Sequence, residues 1–387
     1  MLMKSNTNPL FGSSIITLIF VHSIIKVETD IISPPDEETQ PSGSESAAQK
    51  RPKYMHLPLN DLDTLYVEVR DQHVEKFGSF LQEQAKALKE SHTNFSDKNK
   101  DLTEIHQFVK QIPIFTKNLK SLTNHIHLAE MVKHMTEQTD FRQRWQTERS
   151  ILESETCYDI IEDLIASQYP PFRLLRLLCL QSLTSGGIKA SKYEPLKREV
   201  VQTYGYEYLF VLQNLEKVGL LKKRESMWDS TSSFTTIRKQ LALIQADVDP
   251  SDPDDISYVS SGYAPISVRV IQTAMKGWTG KEDVLRDLPG RGIDIVQRSP
   301  PEDFSVAIKR KSGSTLGNWA EQVSVSTTSG PTGIDDKPVL LVYFVGGLTY
   351  AEIASIRFLS KRQSFPYKVI ICTTKIINGS SFLQSLQ

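Results

Sequence analysis

Cysteine is scarce in this chain of 387 residues: Cys157, Cys179 and Cys372 stand far apart and are odd in number. Three such residues exclude a disulfide framework and offer no CxxC metal spacing, so they read as buried thiols of a reducing compartment. Histidine is absent after His134, which removes His-based acid–base chemistry and zinc ligation from the C-terminal part. His125 and His127 are two apart, diverge on a helix and read as surface or packing residues. An excess of charge is missing too. The 45 basic and 46 acidic residues leave a net charge of -1, so there is no global basic field for nucleic acid or an acidic membrane. No GxxxxGK[ST], GxGxxG, GxSxG or HExxH motif occurs, nothing reads as catalytic, and no cofactor or metal is expected. The most apolar stretch, residues 10–27, is interrupted by Ser13 and Ser14. It falls short of the roughly 20 apolar residues a membrane span needs, lacks the basic start and cleavage site of a secretory signal, and reads as neither.

What is present is organised around Pro338 to Thr374. Val339 to Val345 is an unbroken apolar run entered through Pro338 and closed by Gly346-Gly347, which predicts a strand buried on both faces, as in a parallel sheet. Thr349-Tyr350-Ala351-Glu352 is a capping box, and the helix it opens runs to about Lys361 with Ile353, Ile356 and Leu359 on one side. A second apolar strand, Tyr367 to Thr373, completes a βαβ unit. A phosphate-loop reading of Gly346-Gly347 gives the alternative function, an α/β nucleotide-dependent enzyme. Glu352 argues against it, because a carboxylate stands in the first turn where phosphate would sit.

Before this unit the chain reads as mostly helical. Asp30 to Lys53 is a flexible linker by composition. A long helix capped by Asn60 or Asp61 carries Leu62, Leu65, Tyr66, Val69, Val74, Phe77, Phe80 and Leu81 at near-helical spacing. Ser91 to Asn99 breaks it, and a second helix runs back to Pro113, giving an αα-hairpin. Helices follow at roughly 116–138, 140–152 and 156–168. The chain then divides at Tyr169-Pro170-Pro171. Phe172 to Leu183 is apolar almost all round, hence buried. Glu194 to Thr203 and Tyr206 to Val218 are two more helices joined at Gly205, and Phe234 to Ile244 another. Lys222-Lys223-Arg224 invites a nucleic-acid reading, but three charges without a wider basic face favour a solvated helix end. Asp247 to Asp255, with five aspartates, reads as an exposed acidic loop without calcium-site spacing. Ile256 to Val259 reads as a strand with Ser260 to Pro265 the turn after it. Residues 289–337 form a long irregular excursion with no assigned role.

Two runs carry a family likeness. Asp255 to Pro265 (Asp-Ile-Ser-Tyr-Val-Ser-Ser-Gly-Tyr-Ala-Pro) and Phe344 to Ile353, with its GG-x-T-x-x-E, resemble the Sec1/Munc18 family. Lys197-Arg198-Glu199, Gln202 to Glu207, Asn214 to Lys217, Thr373-Thr374-Lys375 and Asn378-Gly379-Ser380 are similar to its vacuolar-sorting branch, and coverage runs from about Leu57 to Leu386 apart from the excursion. The resemblance implies an α/β fold with a large all-α part, an arch lacking its first domain. Residues 1–54 would be an unmatched N-terminus and linker, and 55–168 a helical part with a SNARE-cradling hairpin. Residues 169–250 would be a helical partner-binding part, and 251–387 the end of the α/β second domain. It implies a non-enzymatic regulator of vesicle docking and membrane fusion, a subunit of the HOPS and CORVET tethering complexes. Such a protein is cytoplasmic and peripheral, through its complex, on late endosome, lysosome or vacuole membranes. It binds SNAREs and the subunit vacuolar protein sorting-associated protein 16, and no nucleic acid. The site for that subunit maps onto Lys197, Tyr206 and Leu209, with the last two an apolar anchor on one helix face and Lys197 a charge beside it. The family's first domain and the opening of its second have no counterpart here, which reads first as a truncated form and otherwise as a specialised short protein that keeps only the partner-binding part.

Overall fold

The computed structural model describes residues 23–28, 54–96, 102–224, 233–249, 252–276 and 338–387, with Trp278, Val284 and Leu288. The linker at 30–53, most of the apolar stretch at 10–27 and the excursion at 289–337 lie outside them.

Strand Ser23–Glu28 (β1) pairs antiparallel with Tyr54–Leu59 (β2), Ser23 opposite Leu59. The long helix expected next is two helices, Thr64–Val69 (α1) and Val74–Ser96 (α2). The cap of α1 is Asp63, whose side chain accepts from the Leu65 and Tyr66 amides, where Asn60 or Asp61 was expected. Tertiary bonding sets the break between them. Asp71 pairs with Arg357 at 3.2 Å and Lys361 at 3.1 Å, and His73 Nε2 lies 3.0 Å from Ser261 Oγ. Those bonds outweigh continuation of a regular helix. The returning helix, Leu102–Glu137 (α3), passes through Pro113 instead of stopping there. The proline removes one amide bond in a 36-residue helix, a loss that propagation on both sides outweighs.

The densest core is helical. It is built from Thr139–Leu152 (α4), Tyr158–Ala166 (α5), Pro171–Thr184 (α6), Ala190–Tyr204 (α7) and Glu207–Lys217 (α8). Leu174, Leu175, Leu177 and Leu178 of α6 are buried at its centre against Ile161, Leu196, Leu212 and Leu215. Each such side chain contributes about 1.5–3 kcal/mol. Lys223–Arg224 (β4) is no helix end but a short strand parallel to Ile188–Lys189 (β3), and Arg224 donates to the Ser185 carbonyl at 2.5 Å. Ser233–Gln240 (α9) follows.

The strand expected at Ile256 to Val259 is a short 3-10 helix, Ile256–Ser260, because Asp255 accepts from the Ser257 amide and caps it. Ser261 and Gly262 then turn with positive φ, and a Cβ at Gly262 would meet the Gln245 carbonyl oxygen at 2.3 Å. Helix Ile266–Met275 (α10) starts after Pro265. Val339–Phe344 (β5) and Lys368–Thr373 (β6) pair in parallel around helix Tyr350–Lys361 (α11), which opens with the predicted capping box. Ile353, Ile356 and Leu359 are buried as expected. The expectation that the first strand is covered on both faces fails. Leu340 and Phe344 pack on Ile256, Val268 and Ile356, whereas Val339, Leu341 and Tyr343 are exposed. Burial alternates along β5 because, among the described residues, helices cover only one side of this two-stranded sheet. The last helix, Gly379–Gln384 (α12), returns to the helical core through Leu383, and Asn214 donates to the Leu386 carbonyl at 3.0 Å. No described helix is long and apolar enough to cross a membrane.

Candidate interaction surfaces

Gly205, at φ 107°, lets the chain reverse between α7 and α8. Tyr208, Val211, Leu212 and Leu215 then recur at helical spacing and fix the inner face of α8 in the core. The same periodicity turns Tyr206, Leu209 and Phe210 outward, at 84%, 48% and 66% exposure. Two of the three expected site residues are therefore brought together, and the Leu209 amide donates to the Tyr206 carbonyl at 3.1 Å. Lys197 lies elsewhere, on α7. Its ammonium donates at 2.5 Å to Glu216 Oε1, which also accepts from the Tyr193 hydroxyl at 2.6 Å. Burial alone would raise the Glu216 carboxyl, but hydrogen bonds from Lys197 and Tyr193 hold it below the usual value. Glu216 comes seven residues after Leu209, about two turns and 10 Å along the helix. Lys197 thus has its counter-charge within the α7–α8 pair. Phe210, which sequence reading passed over, is four residues after Tyr206 and shares its face; that spacing was the available signal.

The second surface is the hairpin of α2 and α3. A groove of about 620 Å³ runs between them, lined by Val74, Phe77, Leu81, Ile126 and Ala129. A Cβ at Gly78 would meet nothing within 4 Å. Away from this groove, at the start of α1, Asp63 accepts from Ser121 Oγ of α3 at 2.9 Å and lies 3.0 Å from His125 Nε2. Burial pushes the Asp63 carboxyl up, but the bonds from His125, Ser121 and Tyr66 prevail and hold it below its ordinary value. His125 is thereby a packing residue. Farther out, Val109, Ile112, Ile114 and Leu119 of α3 are exposed. The α1–α2 turn is tied to the C-terminal unit by the Asp71 and His73 contacts and by the Tyr258 hydroxyl on the Asp71 carbonyl at 2.5 Å, and Arg149 of α4 donates to the Ser261 carbonyl at 2.7 Å.

The Gly346-Gly347 turn is filled from within. Gly347 has φ 139°, and a Cβ there would meet Ile377 at 2.8 Å. Glu352 Oε2 accepts from the Thr349 amide at 2.8 Å, and Thr349 Oγ1 accepts from the Glu352 amide at 3.3 Å. The helix start therefore carries its own carboxylate, as expected from the sequence. Among the described residues no group of three or more His, Cys, Asp or Glu is placed to hold a metal ion.

Residues 25–385 match the Sec1 family. That match begins inside the segment expected to be unmatched. A vacuolar protein sorting-associated protein 33A from Rattus norvegicus is 39% identical over 336 residues, covering 85% of this chain and 51% of that protein. A vacuolar protein-sorting-associated protein 33 homolog from Arabidopsis thaliana is 35% identical over 344 residues, covering 87% and 54%. The chain thus spans about half the length of these curated relatives. Among solved structures, the Unc18–syntaxin 1 complex from Monosiga brevicollis is similar with TM-score 0.55 and 16% identity, covering 97% of this chain and 56% of that one. The SM protein Vps45 in complex with the Qa SNARE Tlg2 is similar with TM-score 0.52 and 14% identity, covering 88% and 52%. At those identities the two structures speak for the fold, a partial Sec1/Munc18-type arch.

Proposed function

The chain belongs to the Sec1 family, and from that premise we propose that it regulates membrane fusion by binding other proteins, without catalysis. It acts in vesicle trafficking as a subunit of the HOPS and CORVET tethering complexes. It docks on vacuolar protein sorting-associated protein 16 and offers its α2–α3 hairpin to SNARE proteins. It works from the cytoplasm, held through its complex on late endosome, lysosome or vacuole membranes. Residues 55–168 would serve the SNARE, 169–250 the partner subunit, and 251–387 the α/β part that supports both.

One observation carries the reading: Tyr206, Leu209 and Phe210 stand exposed together at the start of α8. Large apolar side chains grouped on a rigid helix mark a docking surface, and tyrosine is a frequent anchor in one. The hairpin groove supports the SNARE half, since both solved relatives are complexes, one with syntaxin 1 and one with a Qa SNARE. The test is co-expression of the full chain with the C-terminal half of vacuolar protein sorting-associated protein 16, comparing wild type with Tyr206→Asp. Wild type is expected to retain the subunit and the variant to lose it, because burying an unpaired carboxylate costs several kcal/mol. The exposed position leaves thermal unfolding unchanged. Undiminished capture by Tyr206→Asp overturns the reading.

A further inference from the structure

A cavity of about 640 Å³ opens where the helical core meets the C-terminal unit. Helices α4 and α6 wall it on one side; the turn before α10, the start of α11 and α12 wall it on the other. The volume suits a small molecule, and a junction between packed units is where such sites recur. The two runs that carry the family likeness meet here, one through Ser260 and Tyr263, the other through Thr349 and Glu352. Most of the wall is apolar, with Trp145, Leu152, Leu180, Leu183 and Phe382 along it. Its polar groups divide unequally. The carboxylates are committed: Glu148 accepts from Arg176, and Glu352 accepts from Ser267, the Thr349 amide and Thr349 Oγ1. The donors are not. Arg176 spends Nη2 on Glu148, and its Nε and Nη1 make no hydrogen bond among the described residues. Trp145 Nε1 and the Tyr263 hydroxyl make none either. Burial, with Arg144 nearby, lowers the Arg176 guanidinium to about 10, and burial with the Glu352 charge pushes the Tyr263 phenol up. Donors taken out of water and left unused are costly unless something else accepts from them.

We propose that this cavity binds an amphiphile with an apolar chain and one anionic acceptor head, the chemistry of a fatty acid. The chain lies along Trp145, Leu180 and Phe382, and the carboxylate accepts from Arg176 and Tyr263. An amine head is disfavoured, because the carboxylates of the wall already have their donors. A dianionic phosphate is disfavoured too, because Arg176 shares its charge with the buried Glu148. A guanidinium with free N–H groups on two nitrogens suits a single carboxylate. This site is separate from the protein-docking surfaces and does not depend on them.

The test uses the full chain and a fluorescent fatty acid, cis-parinarate, displaced in turn by oleate, oleyl alcohol and acetate. Saturable binding of cis-parinarate is expected, with oleate displacing it, oleyl alcohol about tenfold weaker and acetate without effect. Leu183 is 47% exposed at the rim, so Leu183→Glu sets an anion at the mouth and should weaken binding about tenfold or more with unchanged thermal unfolding. Tyr263→Phe removes one donor and should weaken it about threefold to tenfold. Leu341→Glu with Val345→Glu, on the exposed side of the β5–β6 sheet, should bind as wild type does. The proposal is overturned if no saturable binding is found, or if oleyl alcohol competes as well as oleate. It is overturned equally if Leu183→Glu and Tyr263→Phe both bind as wild type does, or if only the sheet variant loses binding.

Discussion

Asp255 has two tasks in the fold. Its carboxylate caps the 3-10 helix through the Ser257 amide at 3.0 Å and receives Arg269 on both oxygens, at 2.8 and 2.7 Å. Arg269 is buried, so Asp255→Ala strands a cation and should cost about 3–5 kcal/mol in chemical denaturation. A loss below about 1 kcal/mol would contradict the pairing. Burial pushes the Asp255 carboxyl up, but the bonds from Ser257 and Arg269 outweigh it and leave the group below its ordinary value. A depressed native value means stability that is present above the unfolded value of about 3.9 and is lost as pH falls through the native one. Wild type should therefore lose more stability than Asp255→Asn on acidification from pH ~5 to ~3. Equal losses would assign the acid sensitivity elsewhere. Composition alone cast this residue as part of an exposed loop; its role depends on Arg269, 14 positions away.

At the scale of elements, the hairpin has two control points. Pro113 removes the amide that would bond the Val109 carbonyl inside α3. Pro113→Ala should strengthen that helix by up to about 3 kcal/mol, read as slower amide exchange over the neighbouring turns. Unchanged exchange would mean the helix already frays there for another reason. The other point is the α1–α2 turn. Arg357 and Lys361, both on α11, hold the buried Asp71. The double variant Arg357→Ala, Lys361→Ala leaves Asp71 without either cation and should open the start of α2 about tenfold more often, a shift of ~1.4 kcal/mol. Exchange within α6 should stay as it is. Acceleration spread evenly over both would show that the clamp holds the whole fold and not the hairpin.

For the whole molecule the exposed side of the β5–β6 sheet matters most. Val339, Leu341, Tyr343, Val345 and Ile370 stand exposed on one face, and among the described residues the sheet has two strands and two open edges. Such a surface favours association. The purified chain should bind an apolar dye and associate with rising concentration. Leu341→Lys with Val345→Lys should reduce both without lowering the thermal midpoint, since neither side chain is packed. Persistent association in that variant would direct attention to the outer face of α8.

The sequence by itself determined what a few neighbouring residues can encode. The apolar spacing of α6 and α8, the Thr349–Glu352 box, the stop at Gly205 and the parallel pair around α11 were all legible, as was the likeness that led to the family. So were Tyr206 and Leu209 as one face, because three residues along a helix is a local fact. Tertiary structure decided the rest. It split the helix at Asp71, whose partner Arg357 is 286 positions away, folded Ile256–Ser260 as a 3-10 helix, gave Lys197 to Glu216, and left one side of β5 uncovered. Periodicity states which residues want cover, but only the packed chain states what arrives to cover them, since that depends on elements brought together from far along the sequence.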